Sequence, residues 1–152
     1  MNNNIFGEVI YTYTRQQAIE DGVLIDVSET AKEAGFNIPV AITAGVNALI
    51  NNIPKSRSYQ DYNGRLWDVL FMGSIGARNN KNKSQFLYSL ILSHTERKEV
   101  YYKPKIDFEK GTYKEGYYKE KNVMIDNTTL KMVISGGDHG EPIITIMLPN
   151  ED

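Results

Sequence analysis

The chain has 152 residues, no cysteine and a formal net charge of −2. At that length one domain is expected, burying roughly two thirds of its unfolded surface, so stability requires neither a disulfide nor a metal. The absence of cysteine excludes thiol catalysis, disulfides, iron–sulfur clusters and cysteine zinc sites, and suits a reducing compartment.

The amino-terminal stretch MNNNIFGEVIYTYT has neither the basic nor the apolar region of a signal peptide. The longest apolar runs fall short of the roughly 20 residues of a membrane span. A cytoplasmic protein without membrane contact is expected. Charge is unevenly spread: residues 1–50 carry a net −4, residues 51–121 a net +6 and residues 122–152 a net −4. A basic centre between acidic ends marks either a nucleic-acid surface or segments that neutralise one another in the fold.

Ile5–Tyr13 is rich in β formers and reads as a strand or extended arm. Thr14 is placed to cap a short helix over Arg15–Asp21, which Gly22 stops. Val23–Val27 is a brief extended run. Ser28 or Thr30 caps a second short helix, with Thr30 and Glu33 at capping-box spacing and Gly35 as the stop. Pro39 forces "FNIPVAIT" into an extended connection. Thr43 caps a helix to about Asn51 that presents Val46, Leu49 and Ile50 on one face, and Pro54 ends it.

"KSRSYQDYNG" reads as a polar loop closing in an Asn63-Gly64 turn. Arg65–Arg78 is the strongest helix, with Leu66, Val69, Leu70 and Gly73 on one face and Trp67 and Phe71 on its flank. Trp67 is expected to anchor the core beside Arg65 and Asp68. Phe86, Tyr88, Leu90 and Leu92 then alternate as in a strand, and Val100–Ile106 is expected to pair with it. Phe108–Asn122 reads as a long loop or ribbon. Leu130–Ile134 and Ile143–Leu148 form a closing hairpin. The class is α+β, a single domain over residues 1–152. Short helices and one central amphipathic helix pack on a carboxy-terminal antiparallel sheet of about four strands.

Three blocks, "YTRQQAIEDGVLIDVSETAKEAGFNIPVAIT", "GRLWDVLFM" and "GGDHGEPIITIMLPNED", together resemble a family of uncharacterised proteins of bacterial genomes, plasmids and phages, a domain of unknown function. Against that pattern the tyrosine- and lysine-rich segment at about 94–128 looks like an insertion. The resemblance implies a setting, mobile DNA in bacterial cytoplasm and an accessory role, and brings no catalytic residues or cofactor with it.

The turn "GGDHGE" collects the candidates for chemistry. Gly136 and Gly137 can take positive φ and form an anion nest, and Asp138, His139 and Glu141 can supply a base or a ligand. Neither His139 nor His94 stands in a metal-binding spacing, so no metal is expected, and the simpler reading is a polar hairpin tip. No phosphate-loop, dinucleotide, nucleophile-elbow or EF-hand pattern occurs, and no cofactor is expected.

Tyr101, Tyr102, Tyr113, Tyr117 and Tyr118 alternate with Lys114, Lys119 and Lys121 between Arg97 and Lys121. Such a mixture fits a protein-binding loop, a single-stranded nucleic-acid platform or a solvated ribbon. The leading expectation is a non-enzymatic accessory protein that binds a protein of the host or phage. Nucleic-acid binding through residues 97–121, and a small hydrolase or metal-dependent enzyme at Asp138 and His139, are the alternatives.

Overall fold

The computed structural model describes residues 13–93 and 127–152, together with the backbone of 99–102 and 118–121. In chain order the elements are α1 (Arg15–Glu20), β1 (Leu24–Asp26), α2 (Ser28–Glu33), β2 (Val40–Thr43), α3 (Ala44–Asn51), a 3-10 turn (Lys55–Arg57), α4 (Tyr62–Asn79), β3 (Gln85–Ile91), β4 (Glu99–Tyr102), β5 (Tyr118–Lys121), β6 (Asn127–Gly136) and β7 (Pro142–Met147). Five strands form one sheet in the order β1-β2-β7-β6-β3, and β4 pairs with β5 in a separate ribbon. The class is α+β, as expected. The sheet has five strands and is mixed, because β1 and β2 join the carboxy-terminal hairpin and β2 runs parallel to β7.

Local chemistry sets most boundaries. Thr14 and Gln17 close a capping box at the start of α1, and Gly22 leaves it with φ +76°. Thr43 caps α3 through Val46 N–H at 3.2 Å. Two caps differ from expectation. The residue at the start of α2 is Val27, without a side-chain cap, because the Ser28 hydroxyl is engaged by Asp26 and the Val40 backbone. Asn63 and Gly64 lie inside the first turn of α4, because Asp61 Oδ1 accepts from Gly64 N–H at 2.7 Å and starts the helix there.

β3 pairs antiparallel with β6 along its whole length, from Gln85 opposite Val133 to Ile91 opposite Asn127. The strand that follows it, β4, pairs instead with β5, Glu99 opposite Lys121 and Tyr102 opposite Tyr118. The ribbon is therefore nested between the two strands of a longer hairpin, which leaves β3 without β4 as its neighbour.

Helices α2, α3 and α4 cover one face of the sheet. Val40, Ile42, Val46, Ile50, Val69, Leu70, Leu130, Met132 and Ile146 are fully buried there, each large side chain contributing about 1.5–3 kcal/mol. α4 settles close to β3 because two glycines face it. A Cβ on Gly73 would stand 2.9 Å from Met132 Cε, and one on Gly76 would stand 2.9 Å from the Phe86 ring and 3.3 Å from Tyr88 Cβ. The gap lets Tyr88 Oη donate to Val69 O at 3.0 Å, and burial raises that phenol's pKa far above its ordinary value.

At the other end of α4 the Arg65 guanidinium is buried, only 3% exposed. Nε donates to Ile50 O at 2.7 Å, Nη1 to Ser93 O at 2.7 Å and to Gln60 Oε1 at 2.9 Å, and Nη2 to Leu49 O at 3.1 Å. Desolvation lowers its pKa and the Asp68 carboxylate opposes that shift. Arg65→Ala would leave buried carbonyls without donors and is expected to cost about 3–5 kcal/mol. Arg65→Lys, with no planar fork, should recover only part of that. Urea denaturation should show a lower midpoint at unchanged slope; a midpoint shift below about 1 kcal/mol equivalent would contradict this role.

Candidate functional site

The hairpin tip Gly137–Glu141 joins β6 to β7 after Gly136 pairs with Pro142. Gly137 N–H donates to Glu141 O at 2.6 Å and Gly140 N–H to Gly137 O at 3.0 Å. Of the turn's glycines, Gly140 has the positive φ, +80°. The anion nest expected from Gly136 and Gly137 is not formed: Gly136 extends β6 as a strand residue, and the N–H of Gly137 is spent inside the turn. Glu141 Oε2 accepts from His139 N–H at 2.9 Å, which holds the acid back against its own loop.

Asp138 reaches out of the turn. Its Oδ1 accepts from Arg15 N–H at 2.7 Å and its Oδ2 from Gln16 N–H at 3.1 Å. With Gln17 N–H held by Thr14, the first three N–H groups of α1 are all satisfied by protein. Those two backbone bonds, aided by His139 and Arg15, hold the Asp138 carboxyl below its ordinary pKa. The Arg15 side chain continues across the far face of the sheet, Nη1 to Thr145 Oγ1 at 3.0 Å and Nη2 to Ile144 O at 3.1 Å. Partial burial lowers its pKa, with Asp26, Asp138 and Glu141 opposing.

Together these residues line a cleft of about 320 Å³ with Pro39 and Ile143. The expected trio Asp138, His139 and Glu141 is thus brought together with Arg15 and Asp26, which sequence reasoning had not joined to it. Each of the two turn acids already accepts from backbone N–H groups. Among the described residues no group of three or more His, Asp or Glu side chains is arranged to hold a metal ion.

Of the tyrosine–lysine candidates, Tyr101 and Tyr102 lie on β4 and Tyr118, Lys119 and Lys121 on β5, with Tyr101 opposite Lys119. Tyr113, Tyr117 and Lys114, with His94, lie outside the described residues, as does the first extended segment through Thr12.

A surface feature the sequence reading assigned to the core lies on α4. Trp67 and Phe71 are 37% and 42% exposed, so Trp67 does not anchor the core. Their rings stack at 6.0 Å between centroids with planes 16° apart. The reason is angular: the buried stripe runs through Arg65, Leu66, Val69, Leu70, Gly73 and Ser74, Trp67 lies on its flank about 100° round from Leu66, and Phe71 stands further round still. Counting around the helix would have found this. Met72 follows them at the surface, and beside them Asp68, Phe71, Met72, Ser89, Leu90, Ile91 and Asn127 line a cleft of about 410 Å³.

A five-stranded mixed sheet with α2, α3 and α4 on one face, α1 stapled to the other and an apolar ridge along α4 defines the class as an α+β domain. The model of a family of unknown function, DUF6573, matches residues 1–110, and the chain belongs to that family. The match stops short of β6 and β7, which occupy the middle of the sheet between β2 and β3. No curated protein and no solved structure matches the chain at a significant level.

The Asp138 staple has a pH signature. A carboxyl whose pKa is lower folded than unfolded stabilises fully above the unfolded value, about 3.9 for aspartate, and loses that contribution as pH falls through the folded value. The difference in melting temperature between wild type and Asp138→Ala is therefore expected to be constant at neutral pH and to shrink progressively below about pH 4. A pH-independent difference would show that the charge on Asp138 does not matter to α1.

Proposed function

We propose that this is a non-enzymatic accessory protein of a bacterium or its mobile elements, acting in the cytoplasm by binding another protein. The observation that supports this reading is the stacked Trp67–Phe71 pair, two large aromatic side chains held in the open on the longest helix of the domain. A single exposed apolar residue is ordinary, but a contiguous aromatic and thioether ridge beside an apolar cleft is the composition of an interface centre. Tryptophan dominates such centres because one side chain covers a large area at small entropic cost. The turn supports the same reading by subtraction, since its acids serve α1 and the hairpin.

Capture from bacterial lysate on the immobilised full chain, with and without nuclease, tests the proposal. The expected result is a stoichiometric protein that survives nuclease and whose capture falls at least about thirtyfold in Trp67→Ala/Phe71→Ala, the loss of one hot spot of about 2 kcal/mol or more. Capture abolished by nuclease and by raised salt would overturn it in favour of nucleic acid. Capture untouched by the double substitution would remove the ridge from the interface.

A further inference from the structure

The outer edge of β3 carries a self-complementary pattern. Ile134 N–H donates to Ser84 O, so Ser84 and Ile134 form a hydrogen-bonded pair just before Gln85 meets Val133. Such pairs alternate along an antiparallel ladder. Phe86, Tyr88 and Leu90 therefore turn their backbone groups toward β6, and Gln85, Leu87, Ser89 and Ile91 turn theirs toward the opposite edge. Among the described residues no strand pairs there. The same four side chains are exposed on the face away from α4, Leu87 by 58% and Ile91 by 63%. Gln85–Ile91 contains no proline and no charge, and its register with β6 is unbroken, so it lacks a bulge as well. Those are the devices by which free edges are protected from pairing.

We propose that a second copy of this chain pairs antiparallel on this edge, with the two-fold axis at Ser89, joining two five-stranded sheets into one. The register follows from the side chains. Centring the pair on Leu87, Tyr88 or Leu90 sets Ile91 opposite Lys83, Gln85 or Ser89 of the other copy. Centring it on Ser89 sets Leu87 opposite Ile91 twice, uses only outward-facing backbone groups, and leaves Ser89 opposite Ser89. Cross-strand apolar pairs are the stabilising unit of a sheet.

One strand edge alone falls short of the roughly 1,000 Å² a stable interface needs. The second contribution comes from the cleft between α4 and β3, lined by Phe71, Met72, Leu90 and Ile91, against which α4 of the other copy lies. The dimer goes beyond the binding role proposed above: it sets two Trp67 side chains on one side of a continuous sheet and makes the partner surface bivalent.

The test is the mass of the purified full chain by light scattering across a concentration series, with circular dichroism to confirm the fold. Wild type is expected to be a dimer. Leu87→Lys/Ile91→Lys places like charges opposite one another and is expected to weaken the dimer about tenfold or more. Leu87→Lys/Ile91→Glu places lysine opposite glutamate and is expected to restore it, which only this register allows. Both sites are exposed, so the monomer fold survives either change. A wild type that stays monomeric throughout overturns the proposal, as does a lysine–lysine variant that dimerises like wild type. Failure of the lysine–glutamate variant to recover overturns the Ser89-centred register. Lysate capture on Trp67→Ala alone, which leaves the cleft lined by Phe71 and Met72 intact, reads the ridge separately, so the two readings fail independently.

Discussion

The Arg65 guanidinium sits where three parts of the chain meet: the end of α3, the start of α4 and Ser93, two residues past the end of β3. The last turn of a helix leaves carbonyls without intrahelical donors, and α3 ends at Asn51, just after the buried Ile50. One planar cation with five N–H donors answers Leu49, Ile50 and Ser93 at once. Arg57 adds a bond from Nη1 to Ser93 Oγ. Because α4 is held by its first turn to both α3 and the end of β3, the approach of Gly73 and Gly76 to Tyr88 and Phe86 at its far half is fixed too. The angle of α4 over the sheet decides which side chains it hides and which it shows, Trp67 and Phe71 among the latter.

The helices were legible because their signals are local. Thr14, Thr43, Gly22 and Gly35 act on neighbours within a few residues, and each lies at the boundary its chemistry implies. The alternation of Phe86, Tyr88 and Leu90 likewise announced a strand with one buried face. What was not legible is who pairs with whom. Val40–Thr43 is a short apolar run whose first three residues are buried on both faces, and a run of that length carries no period to separate a central strand from a connection. Its neighbour, β7, lies about a hundred residues away, a distance no local pattern spans. The β3–β6 pairing was hidden in the same way by the intervening ribbon, since adjacency in sequence favoured β4 as the partner.

Trp67 was placed in the core for a related reason. A tryptophan beside an apolar stripe suggests a core indole, and no local pattern marks the arginine that opens the helix as the buried one. Residues two apart face away from each other on a helix, so burying the Arg65 guanidinium turns the indole outward. Packing resolved the conflict in favour of the guanidinium, because the carbonyls of α3 supply an array of acceptors that an indole with one donor could not satisfy.

The acidic ends of the chain point the same way. Asp26 accepts from Ser28, Asp61 from Gly64, Asp138 from Arg15 and Gln16, Glu141 from His139, and Glu151 from both Thr43 Oγ1 and Leu148 N–H. Five carboxylates, the acid–base candidates Asp138 and Glu141 among them, hold turns, helix starts and the carboxy-terminal segment in place. The two backbone N–H partners of Asp138 hold its carboxyl below the usual range, which makes it a poor proton shuttle near neutral pH. Polar residues thus fix the turns and helix starts around an apolar core, while several large apolar side chains stay on the surface, among them Trp67 and Phe71 on α4 and Leu87 and Ile91 on β3. Those exposed apolar side chains are why the proposed binding surfaces lie on the α4–β3 side of the sheet and not on the turn with the more reactive residues.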